Sequence, residues 1–159
     1  MKSVWVLGLA SVGLFIALVW YLQPLQPSVV ALQFTFSPGA FQAVLEGWGA
    51  QGVQRFRLHL VVDDVLLLCY GAFGYLLVQR GAWFGGFSTT ARQRMAALMP
   101  LAALMDGVEN LLHGYLTGEG VAAPPAVYGA AGSAAALKWL LLLAFALCVA
   151  WALRRKRAA

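Results

Sequence analysis

Four long apolar runs, each about twenty residues in length, dominate the pattern of hydrophobic and polar positions. They cover approximately residues 4–22, 58–78, 95–116 and 129–153. A helix needs about 20 apolar residues to cross the hydrocarbon core of a bilayer, and each run has that length. The pattern therefore predicts an all-α bundle of four transmembrane helices that forms a single integral membrane domain over residues 1–159.

The first run follows Lys2 and contains no charged residue, a pattern that signal peptides share. The run is long, however, and Trp20, Tyr21 and Pro24 follow it in place of a small-residue cleavage site. We interpret it as a retained helix with an aromatic anchor at the membrane interface. In the third run, Pro100 is expected to kink the helix about one turn after its start.

The segment between the first two runs, residues 23–57, has a periodicity of its own. Apolar and polar residues alternate over residues 32–36, which predicts a short extended piece. Ser37-Pro38 is typical of a helix N-terminus. The apolar residues after it recur at i, i+3, i+4 and i+7: Phe41, Val44, Leu45 and Trp48. This spacing predicts a short interfacial amphipathic helix that ends at Gly49, and packing of its apolar face on the bundle is compatible with that placement.

The basic residues are concentrated at one side of the predicted bundle. Hydrophobic residues make up 62% of the chain and charged residues only 11%, with a net charge of +5. Most of the lysines and arginines lie at Lys2, in the stretch 80–94 and at 154–157, whereas Arg55 and Arg57 lie on the other side. The positive-inside rule then places both termini in the cytoplasm. Basic residues at helix ends are topology signals, so no nucleic-acid partner is expected.

Ionisable residues also occur inside three of the apolar runs, and their depths agree. Such residues are costly in hydrocarbon and usually face the bundle interior. From the helical rise per residue, Asp63, Asp106, Glu109 and Lys138 lie roughly 8–15 Å below the outer surface. Two sets of residues each share one helix face: His59 with Asp63, and Asp106 with Glu109, Asn110 and His113. Asp64 is rotated by about 100° from Asp63 and is expected to point elsewhere.

The formal charges of this cluster are four acids against Lys138. Arg55 and Arg57 lie nearby at its mouth, and two or three ion pairs would neutralise most of the charge. Three interpretations stay open. In the first, the cluster is a structural network that fixes helix register. In the second, it is a pocket that opens outward and either binds a lipid or another apolar small molecule or does acid–base chemistry on it. In the third, it is a metal or haem site. The last is ranked lowest, because neither histidine lies in a recognised ligand motif, and no cofactor is expected.

In the pocket interpretation, the residues have two roles. The candidates for acid–base chemistry are His59, Asp63, Asp106 and Glu109. The candidates for ligand contact are Asp64, Tyr70, Asn110, His113 and Lys138. Our first hypothesis is a non-enzymatic ligand-binding or accessory membrane protein, with a membrane protein or a second copy as a possible partner. The alternative is an intramembrane enzyme that acts on a lipid-like substrate.

Several segments carry a family resemblance: Leu32-Gln33-Phe34, Phe41 to Glu46 with Trp48, Arg57 to Asp64 with Tyr70, Asp106-x-x-Glu109-Asn110, and Lys138-Trp139. In this order they resemble a group of small bacterial four-helix membrane proteins that have no assigned activity. The resemblance covers about residues 30–145, and it implies a bacterial inner membrane but no reaction. A weaker similarity, carried by His59, Asp63 and Glu109, is to the sterol-isomerase and sigma-2-receptor superfamily, in which small membrane bundles set histidine and acids around an apolar ligand.

Overall fold

The computed structural model describes residues 2–158, with side chains for residues 2–156, and is built from helices without a strand in that range. The helices are α1 (Lys2–Leu22), α2 (Val29–Gln33), α3 (Pro38–Arg80), α4 (Thr89–Leu116) and α5 (Pro125–Ala158), with a 3-10 turn at Ala82–Phe84. Four of them, α1, α3, α4 and α5, are long and apolar enough to cross a membrane, which confirms the four predicted helices. The side chain of Arg157, part of the basic C-terminal stretch, lies outside the described residues.

The long helices pack in chain order. α1 packs along α3, α3 along α4 and α4 along α5, whereas α1 and α5 have no extensive contact. Because short connections join them, successive long helices alternate in direction. Lys2, the α3–α4 turn and the C-terminal residues of α5 therefore lie at one end of the bundle, which we call the basic end. The segment 23–37 and the α4–α5 connection lie at the other, which we call the loop end.

Two separate apolar cores lie toward the two ends. The core of the basic end is built around Val78, Phe84, Ala96 and Phe145. The core of the loop end is built around Leu32, Phe41, Phe56 and Tyr128. The buried residues Asp106 and Glu109 of α4 and Lys138 of α5 fall between these cores in sequence, so a polar layer separates two apolar ones.

α3 and α4 approach most closely near the middle of the bundle. A Cβ placed on Gly74 would overlap Met99, and one placed on Gly71 would lie 3.0 Å from the Cβ of Ala103. Pro100 lies inside α4 at this contact, and the kink expected there stays a prediction. Such close backbone approach is what small residues allow in membrane bundles. It also brings Tyr70, next to Gly71, within hydrogen-bonding reach of α4.

The prediction of an extended piece at residues 32–36 is wrong. Leu32 and Gln33 end the short helix α2, and the residues after them have irregular backbone. Local hydrogen bonds favour the turn: Ala31 N–H donates to the Ser28 carbonyl, and the Thr35 hydroxyl donates to the Leu32 carbonyl at 2.7 Å. Leu32 is fully buried while Phe34 is exposed, so the alternation does not describe one buried face of a strand.

The short helix predicted after Ser37-Pro38 is present and forms the first part of α3. The Ser37 hydroxyl accepts a hydrogen bond from Ala40 N–H, and Pro38 occupies the first turn. The predicted break lies at Gly49, whose φ of 62° and ψ of 179° are not helical. Phe41 and Trp48 of the predicted apolar stripe are buried in the core of the loop end, so this face packs on the bundle.

Gly49→Ala is expected to destabilise the fold by about 1–3 kcal/mol, because its backbone conformation is one that almost only glycine adopts. Space is not the cause, since no atom lies within 4 Å of an added Cβ. Gly39→Ala is the matched control, because Gly39 is helical and equally open, and alanine there should be neutral or slightly stabilising. Thermal unfolding of both variants in one detergent tests this, and equal melting temperatures would contradict it.

Candidate functional site

Lys138 is the centre of a buried ion-pair network between α4 and α5. Its Nζ lies 2.8 Å from Asp106 Oδ1 and 2.6 Å from Glu109 Oε2. Tyr70 of α3 donates its hydroxyl to Asp106 Oδ2 at 2.8 Å. The side chains of Lys138, Asp106 and Glu109 are all at least nine-tenths buried. Two carboxylates of α4 thus share one ammonium group of α5, and Asp106 links this pair of helices to Tyr70 of α3.

Glu109 extends the network toward the loop end. Its Oε1 lies 3.5 Å from Nδ1 of His113, one turn later on α4. The His113 ring stacks on Phe41 with 5.8 Å between centroids and meets Phe56 edge-on at 5.9 Å. His113 Nε2 is buried and has no hydrogen-bond partner within the described residues. The polar chain therefore ends inside an aromatic enclosure.

Asn110 links α4 to two neighbouring acids on α3. Its Nδ2 donates to Asp63 Oδ2 at 2.9 Å and to Asp64 Oδ1 at 3.0 Å. The prediction that Asp64 points away from the cluster is therefore wrong in part: its side chain is exposed, yet the amide reaches it. Because an amide nitrogen carries two hydrogens, one residue can serve both carboxylates.

His59 has a defined tautomer in this arrangement. Its Nδ1 is hydrogen-bonded to the carbonyl oxygen of Phe56, one turn earlier on α3. A carbonyl oxygen only accepts, so Nδ1 carries the hydrogen and a neutral ring presents a lone pair at Nε2. The ring is buried and packs against the Phe56 ring at 4.7 Å between centroids.

The expectation that Arg55 and Arg57 neutralise the acids is wrong. Arg57 Nη1 donates to the Gly114 carbonyl at 2.8 Å and to the Thr117 hydroxyl at 3.0 Å. Arg55 Nη1 donates to the carbonyl of Tyr21 at 2.8 Å, and its guanidinium lies over the Tyr21 ring. Both arginines therefore bind the C-terminal turns of helices, where exposed carbonyls attract positive charge. Among the lysines and arginines of the described residues, Lys138 alone forms ion pairs with the acids of the cluster.

A cleft of about 670 Å³ lies between α1 and α5, over α3. Its walls are mostly apolar and include Val12, Phe15 and Val19 of α1 and Leu142 of α5. Five ionisable side chains of α3, α4 and α5 also line the cleft, and we call them the cleft floor: His59, Asp63, Tyr70, Asp106 and Lys138. The cleft is open because α1 packs on α3 and leaves α5 uncovered on this side. Val12, Phe15 and Val19 are each more than half exposed, so the opening runs along apolar helix surfaces.

α2 and the chain around it close the cleft at the loop end. Trp139 Nε1 of α5 donates to the Gln33 side-chain oxygen at 3.1 Å. Trp48 Nε1 donates to the Pro27 carbonyl, which holds the start of this segment on α3. At Gly132 of α5 an added Cβ would lie 2.8 Å from the Thr35 carbonyl, so the loop lies directly on the helix. The cleft is therefore closed at the loop end and open along its side.

The predicted site residues divide between this cleft and the bundle interior. Five of them form the cleft floor given above, whereas Asp64, Glu109, Asn110 and His113 do not line it. Asp106 and Lys138 belong to both groups, because they line the cleft and also form an ion pair inside the bundle. The lining residues of α1 and α2, such as Phe15 and Gln33, carry no ionisable group, so their position in a site had no sequence signal.

The cluster does not fit a haem or a metal. Within residues 2–156 no three histidine, cysteine or acidic side chains are arranged to hold a metal ion. The Phe56 ring packs against both His59 and His113, and Phe41 covers His113. A haem held between the two histidines would require these aromatic rings to move out of a closely packed core.

Comparison with protein-family models, curated proteins and solved structures finds no match to this chain.

Proposed function

We propose that this chain is a multi-pass membrane protein that binds a lipid-like amphipathic molecule in the cleft between α1 and α5. The observation that carries the proposal is a cleft of about 670 Å³ with apolar walls and a polar floor. Ligand pockets are commonly about 300–1,000 Å³ in volume and mostly apolar, with a few polar groups that orient the ligand. The apolar part of the ligand would lie between α1 and α5, with its polar group on Lys138, Asp106 and His59.

The proposal includes a location in the bacterial inner membrane, with the basic end in the cytoplasm. Lysines and arginines at the basic end support this orientation. α1 has 21 residues, which corresponds to about 31 Å of helix and matches the hydrocarbon thickness. The outward surfaces of the helices are apolar: Leu9, Val61, Leu68, Leu111 and Leu140 are each more than half exposed. In this placement the residues 38–48 lie at the outer interface.

The charge of the cleft floor selects the head group. Asp63 and Asp106 face one ammonium group, that of Lys138, which is already paired with two carboxylates. His59 adds a lone pair at Nε2 when its ring is neutral. Acceptors therefore outnumber free donors, and a carboxylate or phosphate head group would meet repulsion. A head group that donates hydrogen bonds, such as a hydroxyl or an amine, fits this floor.

Leu142→Trp is expected to remove the bound molecule, because the indole would fill the apolar part of the cleft. Leu143→Trp is the matched control, since Leu143 is the adjacent leucine, is 57% exposed and does not line the cleft. Both variants would be extracted with their lipids in copolymer discs, and the molecules that remain bound after lipid exchange would be weighed by native mass spectrometry. Equal retention in both variants would sink the proposal.

The same measurement addresses the alternative of an intramembrane enzyme, which one observation favours. His59 and Asp63, one turn apart on α3, both line the cleft and could exchange a proton with a bound molecule. In His59→Gln, the glutamine side chain has roughly the size and polarity of the imidazole but cannot transfer a proton. A bound molecule of changed mass in this variant would favour the enzyme, whereas the same molecule in the same amount would favour binding alone.

A further inference from the structure

A second groove lies at the basic end of the bundle, between α3 and α4. Its volume is about 640 Å³, and it is separate from the cleft between α1 and α5. Its lining includes Gln79 of α3 and, from α4, Thr89, Arg92, Gln93, Ala97 and Leu101. None of these side chains takes part in the polar cluster around Lys138. The groove therefore needs an explanation of its own.

Arg92 provides a positive charge in this groove, and no acid among the described residues neutralises it. Its Nη2 donates to the carbonyl of Gln79 at 2.8 Å, near the C-terminus of α3. Its Nε is buried and has no hydrogen-bond partner within the described residues. Among the residues that the structure describes, no carboxylate forms an ion pair with Arg92. A guanidinium group has five N–H donors, of which one binds Gln79 and one, the Nε–H, is buried, so the remaining Nη hydrogens are the donors available for an anion.

The polarity of the groove changes along α4. Gln93, Ala97 and Leu101 are spaced at i, i+4 and i+8, so they follow one face of the helix over about 12 Å. The end near Arg92 is polar, with amide and hydroxyl groups that can donate hydrogen bonds. The end at Ala97 and Leu101 is apolar, and Leu101 is 46% exposed. A molecule with an anionic head and an apolar chain matches this order.

We propose that this groove binds one anionic phospholipid of the cytoplasmic leaflet. The phosphate would lie on Arg92 and Gln93, and an acyl chain would follow Ala97 and Leu101. Guanidinium groups bind phosphate in a planar, bidentate manner, and basic pockets between helices on the cytoplasmic side suit anionic head groups. The inference rests on the membrane placement proposed above, but it does not depend on a ligand in the cleft between α1 and α5.

The test compares phosphatidylglycerol with phosphatidylcholine of identical acyl chains, titrated into delipidated full-length protein and followed by native mass spectrometry. The wild type is expected to bind one phosphatidylglycerol about fivefold more tightly, the factor that one basic contact supplies. Arg92→Gln should abolish this preference. Arg94→Gln should keep it, because Arg94 is exposed two residues further on and does not line the groove.

Arg92 also binds the C-terminal turn of α3, so a second pair of variants separates lipid binding from folding. Ala97→Trp would fill the apolar end and leave Arg92 in place, whereas Leu104→Trp adds the same ring at a 57% exposed position off the groove. Only Ala97→Trp should weaken phosphatidylglycerol binding. Equal losses in Arg92→Gln and Arg94→Gln would overturn the proposal in favour of diffuse attraction. Displacement by millimolar inorganic phosphate would overturn it in favour of a free-anion site.

Leu142→Trp shows whether the two proposed binding sites are independent. It should leave phosphatidylglycerol binding unchanged, because Leu142 lines the other cleft. Absence of binding in the cleft and absence of phosphatidylglycerol binding in the groove can therefore be detected separately.

Discussion

Lys138→Met is expected to lower the free energy of unfolding by about 3–5 kcal/mol, the largest single effect in the molecule. The variant keeps most of the side-chain volume but removes the ammonium group that Asp106 and Glu109 share. Two buried carboxylates would then face each other without a cation, and breaking a buried pair costs more than the pair itself contributes. Chemical or thermal unfolding in a mild detergent would measure the loss.

Neutral partners should reverse much of this loss. In the triple variant Lys138→Met with Asp106→Asn and Glu109→Gln, no charge of the trio remains to be desolvated, so stability should recover toward the wild type. Lys156→Met provides the surface control, because Lys156 is exposed at the basic end. Wild-type stability in Lys138→Met would mean that the ion pairs do not form in the folded protein.

Asn110→Leu is expected to cost about 2–3 kcal/mol, the second largest effect. The amide donates to Asp63 and Asp64, and each hydrogen bond to a charged group contributes about 1.5–3 kcal/mol. The expected loss is close to the value for one such bond, because Asp64 is exposed and water can replace the amide as its hydrogen-bond donor. The leucine would also leave Asp63, which is half-buried, without its donor from α4.

Asp64→Asn is the informative comparison. It removes one charge and keeps the shape of the side chain, so it should cost less than 1 kcal/mol, as exposed sites usually do. In the double variant with Asn110→Leu, the two losses should not add, because both act on the same hydrogen bond. Strict additivity would show that Asn110 does not hold Asp64.

The structural interpretation of the cluster and the proposed ligand-binding one concern two sides of one arrangement. Glu109, Asn110 and His113 lie on the side that packs into the bundle, where their hydrogen bonds and ion pairs fix the register of α3, α4 and α5. His59 and Asp63 lie on the side that lines the cleft. Variants of the first group should act on stability, and variants of the second on the bound molecule.

The sequence predicted the parts of the molecule that depend on local spacing. Apolar runs of helical length identify the four long helices, and the i, i+3, i+4 and i+7 spacing of Asp106, Glu109, Asn110 and His113 correctly puts them on one buried face. The common level of Lys138, Asp106 and Glu109 along the bundle followed from the rise of a helix. Ser37, Pro38 and Gly49 marked the start and the break of a helix because each acts through its own backbone chemistry.

The features that the sequence did not predict depend on which helices touch. Nothing in the apolar surface of α1 indicates that it packs on α3 and leaves a cleft beside α5. Arg55 and Arg57 were assigned to the acids by proximity in sequence, whereas the carbonyl ends of α1 and α4 compete for them. The groove at Arg92 arises only when α3 and α4 lie side by side.

The side opening of the cleft has a consequence for how occupancy is measured. In the membrane placement proposed above, a molecule that enters between α1 and α5 would come from the bilayer without passing through water, so its mole fraction among the surrounding lipids would set the occupancy. Aqueous concentration is then the wrong variable, and a titration should vary the composition of a vesicle at constant total lipid. Detergent monomers have the same amphipathic form as the proposed ligand, and a micelle supplies them in large excess. Purification in detergent would therefore exchange the native occupant for the solvent itself.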